Sequence, residues 1–143
     1  MRALFLLAAA LLGGCSQIPD GVEAVGSFDA ERYLGRWYEI ARLDHRFERG
    51  LDNISATYTA RADGGIDVLN RGYDRAKGEW REAQGKARFV GPRDRAMLEV
   101  SFFGPFYGGY NVVDLDPDYQ IALVSGPTRE YLWILARRPD PPR

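Results

Sequence analysis

The chain has 143 residues, 45% of them hydrophobic and 27% charged, with a formal net charge of −1. That length is a prior for one domain, and the balance is ordinary for a globular protein. No run of one charge sign builds a basic face, so nucleic acid is not an expected partner.

The N-terminal element reads as a targeting segment outside the fold. Arg2 gives a short positive start, and Ala3 to Leu12 is an unbroken run of ten apolar residues. At ~1.5 Å per residue a helix of that length reaches about 15 Å, half of a ~30 Å bilayer core. It therefore fits the apolar part of a secretory signal and not a membrane span. Leu12-Gly13-Gly14-Cys15 follows and resembles the lipobox of bacterial lipoproteins, whose cysteine carries a diacylglycerol. Cys15 is the only cysteine, so no intrachain disulfide can form, and thioether formation would consume a thiol exposed to an oxidising compartment. Cys15 is the expected lipid-attachment residue, and two or more acyl chains anchor stably where one does not. Ser16 stands where an aspartate retains inner-membrane lipoproteins, which resembles an outer-membrane address, with the domain on the periplasmic face. Residues 1–14 are thus read as signal peptide and 15–27 as lipidated tether. With Pro19, Asp20, Gly21 and Gly26 and no periodicity, the tether is expected to be flexible. Residues 28–143 are the folded domain.

Phe28 to Leu34 is the one segment with a helical look, with Ser27 as its candidate N-cap. Beyond it, turn signals recur every 10 to 15 residues or so. They are Asp63-Gly64-Gly65, Lys77-Gly78, Gly91-Pro92, Gly104 to Gly109, Asp116-Pro117-Asp118 and Gly126-Pro127, preceded by a longer connection over about Leu43 to Asp52. Seven connections imply eight strands. The segments between them alternate. Ile54, Ala56 and Tyr58 interleave with Ser55, Thr57 and Thr59. Ile66, Val68 and Asn70 interleave with Asp67 and Arg71, and Leu98, Val100 and Phe102 with Glu99 and Ser101. Period 2 is the mark of a sheet with one wet face. Eight antiparallel strands in ~100 residues fit an all-β, up-and-down closed barrel that removes exposed edges and can hold one small ligand. Spacing alone also fits a sandwich.

Gly35-Arg36-Trp37-Tyr38 matches the Gly-x-Trp signature on the first strand of lipocalins, Asp116 to Tyr119 lies where that family has its second motif, and Arg137 ends Tyr131-Leu132-Trp133-Ile134-Leu135-Ala136-Arg137. Taken in order, and with the stretches Glu39 to Arg42, Asp44 to Gly50 and Ser101 to Tyr110, these resemble the bacterial outer-membrane lipocalins, relatives of apolipoprotein D. The resemblance spans Phe28 to Arg138 and the lipobox. It implies an eight-stranded barrel in which Gly35, Trp37 and Arg137 form a structural floor, the arginine lying across the indole. It also implies a C-terminal helix and a last strand, whereas Pro139-Asp140-Pro141-Pro142 cannot form a helix. An apolar wall patch would then be exposed, so a homodimer or reduced stability is expected.

No catalytic constellation is legible. Nucleophilic catalysis wants a serine or cysteine beside an oriented base, but the single cysteine belongs to the anchor. The single histidine, His45, sits in the first long loop and reads as a locally bonded loop residue, with a gate or base at the mouth as the functional alternative. Histidine and cysteine are too few for a metal site, and no cofactor or metal is expected. Gly104 to Gly109 reads as a mobile hairpin at the open end. Alternation places Trp133, Tyr110, Phe102 and Tyr58 inward as ligand-contacting candidates. Asn70, polar on an apolar face, is a candidate to fix a head group or a water. Arg46, Arg49 and Tyr107 are placed at the mouth, where they could meet a phosphate or carboxylate. The expected function is non-enzymatic: a membrane-anchored carrier or store of fatty acids or lysophospholipids for outer-membrane maintenance. The alternatives are an envelope interaction module without lipid transport and a lipocalin-type isomerase or dehydratase.

Overall fold

A computed structural model describes residues 17–46 and 48–141. The apolar run, the Leu12 to Cys15 motif and the attachment assigned to Cys15 lie outside these residues. One helical turn, α1 (Ala30–Tyr33), precedes eight strands: β1 (Gly35–Arg42), β2 (Leu51–Ala60), β3 (Ile66–Asp74), β4 (Glu79–Phe89), β5 (Met97–Phe103), β6 (Phe106–Leu115), β7 (Ile121–Ser125) and β8 (Leu132–Ala136). Each pairs antiparallel with the next, and β8 pairs with β1 to close the barrel. Closure leaves no strand edge unpaired, which decides between barrel and sandwich.

The connections fall on the turn residues. Gly64, Gly78 and Gly91 take positive φ values of 88°, 65° and 102°, a region in which a Cβ would be strained. The alternation of β2 is observed: Ile54, Ala56 and Tyr58 are buried while Ser55 and Thr57 are half-buried and Thr59 is exposed. In an up-and-down barrel, connections alternate between ends. The 43–50, 75–78, 104–105 and 126–131 loops therefore surround the mouth. The 61–65, 90–96 and 116–120 loops gather at the floor with α1.

Three local expectations change. First, α1 is shorter than Phe28 to Leu34 and its cap is Asp29, whose carboxylate accepts from Glu31 N at 3.1 Å and Arg32 N at 3.3 Å. Ser27 sits at φ 49°, and Phe28 N donates to Asp94 O at 2.8 Å, so both precede the helix. Leu34 is already extended, leading into β1. Second, the hairpin read over Gly104 to Gly109 narrows to Gly104-Pro105, because Phe106 to Gly109 are the start of β6.

Third, residues 17–27 form an irregular strap bound to the outer wall, not a segment free of the barrel. Val25 N donates to Val112 O at 2.8 Å, and Val25 O accepts from Ala96 N at 2.9 Å. Asn111, fully buried on the outer face of β6, donates from Nδ2 to Gln17 O at 2.8 Å. Arg129, in the 126–131 loop, reaches Asp20 O at 2.6 Å. A Cβ on Gly109 would overlap the Gln17 carbonyl, so glycine is what lets the strap approach. The strap starts beside the mouth and ends at the floor. Elsewhere on the wall, Ile40, Ile121 and Ile134 of β1, β7 and β8 are each 37–40% exposed.

Candidate ligand-binding site

The floor is built around Trp37, which is fully buried on β1. Its Nε1 donates to Tyr33 O at 2.8 Å, so its polar edge is satisfied from α1. Arg137, just past β8, holds its Cζ 3.9 Å from the indole centroid. Its N–H groups reach Tyr119 O, Leu34 O, Arg36 O and Arg32 O at 2.8–3.1 Å. Gly35, at φ 98°, has Arg137 Nη1 3.3 Å from where a Cβ would stand. Tyr119 joins the floor through its hydroxyl, which accepts from Asp29 N at 2.9 Å, and its loop is folded by Asp116, which takes the N–H groups of Asp118, Gln120 and Ile121. Main-chain donors of this kind hold the Asp116 carboxyl below the usual range, against the opposing effect of desolvation.

Above this floor lies a cavity of about 700 Å³, within the ~300–1,000 Å³ of small-molecule sites. Its walls are largely apolar: Ile54, Ala56, Ile66, Val68, Leu98, Val124 and Leu135 all face it. At its deep end three tyrosines meet. Tyr110 Oη lies 2.6 Å from Tyr33 Oη and 2.8 Å from Tyr58 Oη. Burial, the largest cause, raises the pKa of all three, so each stays a neutral phenol.

The mouth end is polar. Glu39 of β1 and Glu48 of the 43–50 loop face the cavity. Arg42 bridges them, with Nη1 3.1 Å from Glu39 Oε1 and Nε 3.7 Å from Glu48 Oε2. Trp133 Nε1 donates to Glu48 Oε2 at 3.3 Å, and His45 Nε2 lies 3.3 Å from the same oxygen. The His45 ring also packs on Tyr131 and Trp133, with centroids 5.4 and 5.5 Å away. The Glu39 carboxyl is pushed up to about 8, first by burial and then by the neighbouring Glu48 carboxylate, with Arg42 opposing.

Every candidate contact residue lines this one cavity: Trp133, Tyr110, Phe102, Tyr58 and Asn70. Asn70 is half-buried, between Ala56 and Ala83 on the neighbouring strands. Phe102 fits because Gly85 on β4 lacks a Cβ, which would come within 2.8 Å of its ring. Of the residues expected to meet an anion at the mouth, Tyr107 lines the cavity. Arg49 is ion-paired to Asp44 at 3.0 Å, and the Tyr107 ring lies under Arg88 at 3.8 Å. Besides Arg71 and Arg81, the charged residues that line the cavity include the carboxylates Glu39 and Glu48. Reading by alternation missed those two and Tyr33. Glu39 had a signal: it stands two residues after Trp37 on one strand and so shares its inward face.

Comparison with known proteins agrees with this architecture. Residues 28–143 match the family model of the lipocalin-like domain. The chain is 59% identical over 145 aligned positions to the outer membrane lipoprotein Blc of Escherichia coli K12, covering 97% of this chain and 82% of that protein. It is 35% identical to apolipoprotein D of Rattus norvegicus, over 90% of this chain and 68% of the relative. Among solved structures, insecticyanin from the tobacco hornworm Manduca sexta superposes with a TM-score of 0.68 at 20% identity, covering 86% of this chain and 70% of that one. The chain belongs to the lipocalin family.

Proposed function

We propose that this protein is a membrane-anchored carrier or store of apolar ligands, fatty acids or lysophospholipids, serving outer-membrane maintenance. The observation that carries this reading is the cavity itself: sealed below by Trp37 and Arg137, apolar along its walls and polar at its rim. That gradient suits an amphiphile lying with its chain inside and its head at the mouth. Each buried methylene contributes ~0.8 kcal/mol, so a long chain offers ~10 kcal/mol gross before ordering costs. The names of the 57–60% identical relatives, all outer membrane lipoproteins, support the location, as does the lipobox-like motif at Cys15. Among the described residues no nucleophile, base and orienting group come together in the cavity, which favours binding over catalysis. The cavity lining offers the head both carboxylates, Glu39 and Glu48, and cations, Arg71 and Arg81, a mixture that suits a zwitterionic lysophospholipid.

The test uses Trp133, whose indole faces the cavity and touches Glu48. Protein lacking residues 1–15 is titrated with fatty acids and lysophospholipids while its fluorescence is followed. Saturable quenching is expected, weakened by Tyr110→Ala. Folded protein that shows no saturable binding would rule out the carrier reading. Mass spectrometry of protein taken from membranes reads acylation at Cys15 directly.

A further inference from the structure

The tyrosine cluster at the deep end has a property that follows from counting. Three phenols carry three O–H donors. Two O···O contacts join them, Tyr33 to Tyr110 and Tyr58 to Tyr110, and these are the hydrogen bonds that the three hydroxyls make among the described residues. Two contacts use two protons. If Tyr33 donates to Tyr110 and Tyr110 to Tyr58, the proton on Tyr58 is left over. The reverse order leaves that of Tyr33, and donation by both outer residues leaves that of Tyr110. Every arrangement leaves one donor unmatched, because a hydroxyl has one proton to give.

A buried donor without an acceptor is unfavourable, and native interiors nearly always supply one. Here the cavity side is where an acceptor can enter, since all three residues line it. Resting on the carrier reading above, we infer that the floor is a hydrogen-bond-donor subsite that takes a neutral oxygen, a hydroxyl or a carbonyl, borne at the buried end of an acyl chain. The ligand class is thereby narrowed to oxygenated chains, polar at both ends. Burial keeps the phenols neutral, so the donor persists at ordinary pH. A carboxylate at this depth is disfavoured, because one O–H among Phe28, Leu98 and Val124 leaves most of its lone pairs without partners. Arg137, whose charge acts on Tyr33, is committed to main-chain carbonyls.

The experiment compares saturated fatty acids of about twelve to eighteen carbons with their ω-hydroxy counterparts. Both compete for a fluorescent fatty-acid probe on protein lacking residues 1–15, which retains every described element. At the chain length that spans the cavity, the ω-hydroxy acid is expected to bind about fivefold tighter than the parent acid, although an added hydroxyl ordinarily weakens apolar binding. Tyr33→Phe and Tyr58→Phe should each keep the preference, since two hydroxyls sharing one contact still leave one donor. The triple variant Y33F/Y58F/Y110F should lose it while still binding the parent acid. Parent acids that bind with no ω-hydroxy preference at any length would overturn this inference and leave the carrier reading standing. So would a preference that survives in the triple variant. Should the triple variant not fold, the comparison on the unsubstituted protein decides alone. Failure of every acid to bind would overturn the carrier reading and the subsite with it.

Discussion

Arg137 lies over the Trp37 ring and gives its N–H groups to four main-chain carbonyls around the floor. A planar fork with five donors can do this, whereas a lysine offers three donors on a flexible stem. Arg137→Lys is expected to lower stability by about 1–2 kcal/mol and Arg137→Ala by about 2–4 kcal/mol. Both are read as lower urea midpoints at unchanged slope. Glu39 makes a prediction of opposite character. Its carboxyl titrates near 8 in the folded protein against 4.5 for the unperturbed group. The folded state therefore binds the extra proton between those values, and stability falls as pH rises from about 4.5 to about 8. Glu39→Gln should flatten that slope in denaturation midpoints measured at several pH values. These residues were unequally legible. Trp37 and Arg137 stand in recognisable motifs, and Tyr58, Tyr110, Phe102 and Trp133 follow from period 2 on regular strands. Glu39 precedes a bulge at Ile40 that breaks the alternation, and Glu48 reaches the mouth from a loop. Glu39 still shares the inward face of Trp37, two residues before it, whereas no period marks Glu48.

The strap is an element without secondary structure, held by main-chain hydrogen bonds, Asn111 and Arg129. Gly109→Ala pushes a methyl into the Gln17 carbonyl and Asn111→Ala removes its donor. Each is expected to release the N-terminal half of the strap. Faster proteolysis between Gln17 and Gly26, with barrel strands still protected in hydrogen exchange, would show it. An unchanged cleavage rate in both variants would mean that the strap is held elsewhere. The strands themselves were legible because their punctuation is chemical: Gly64, Gly78 and Gly91 supply backbone conformations closed to other residues. The strap was not, because neither a backbone-to-backbone contact nor one buried asparagine leaves a pattern in neighbouring residues. The helix was overextended for a related reason. Phe28 looks helical by hydrophobicity, but its ring packs against Tyr33 and Tyr119 while its N–H serves another loop.

At the scale of the molecule the barrel has two unlike ends. The floor is packed and hydrogen-bonded, and the mouth carries Phe103 and Phe106, 79% and 77% exposed on either side of Gly104-Pro105. Large exposed aromatics at one tip mark a contact surface. With the strap beginning on the same side, that contact is expected to be lipid. Phe106→Trp in acylated protein on phosphatidylethanolamine–phosphatidylglycerol vesicles should shift its emission to the blue and be quenched by brominated acyl chains. Emission like that of a solvent-exposed indole would exclude it.

The strap also sets the geometry of tethering. Gly109 of β6, three positions past Phe106, lies against the Gln17 carbonyl, and Gln17 stands two positions after Cys15, a covalent reach of about 7 Å. Thirteen loose residues would have let the barrel tumble through a hemisphere tens of ångströms wide. A lipid on Cys15, as proposed, would instead act as a hinge pin near the rim. The barrel would then keep its tilt while it drifts in the plane of the membrane, and its encounters with lipid would become a search in two dimensions at nearly fixed orientation.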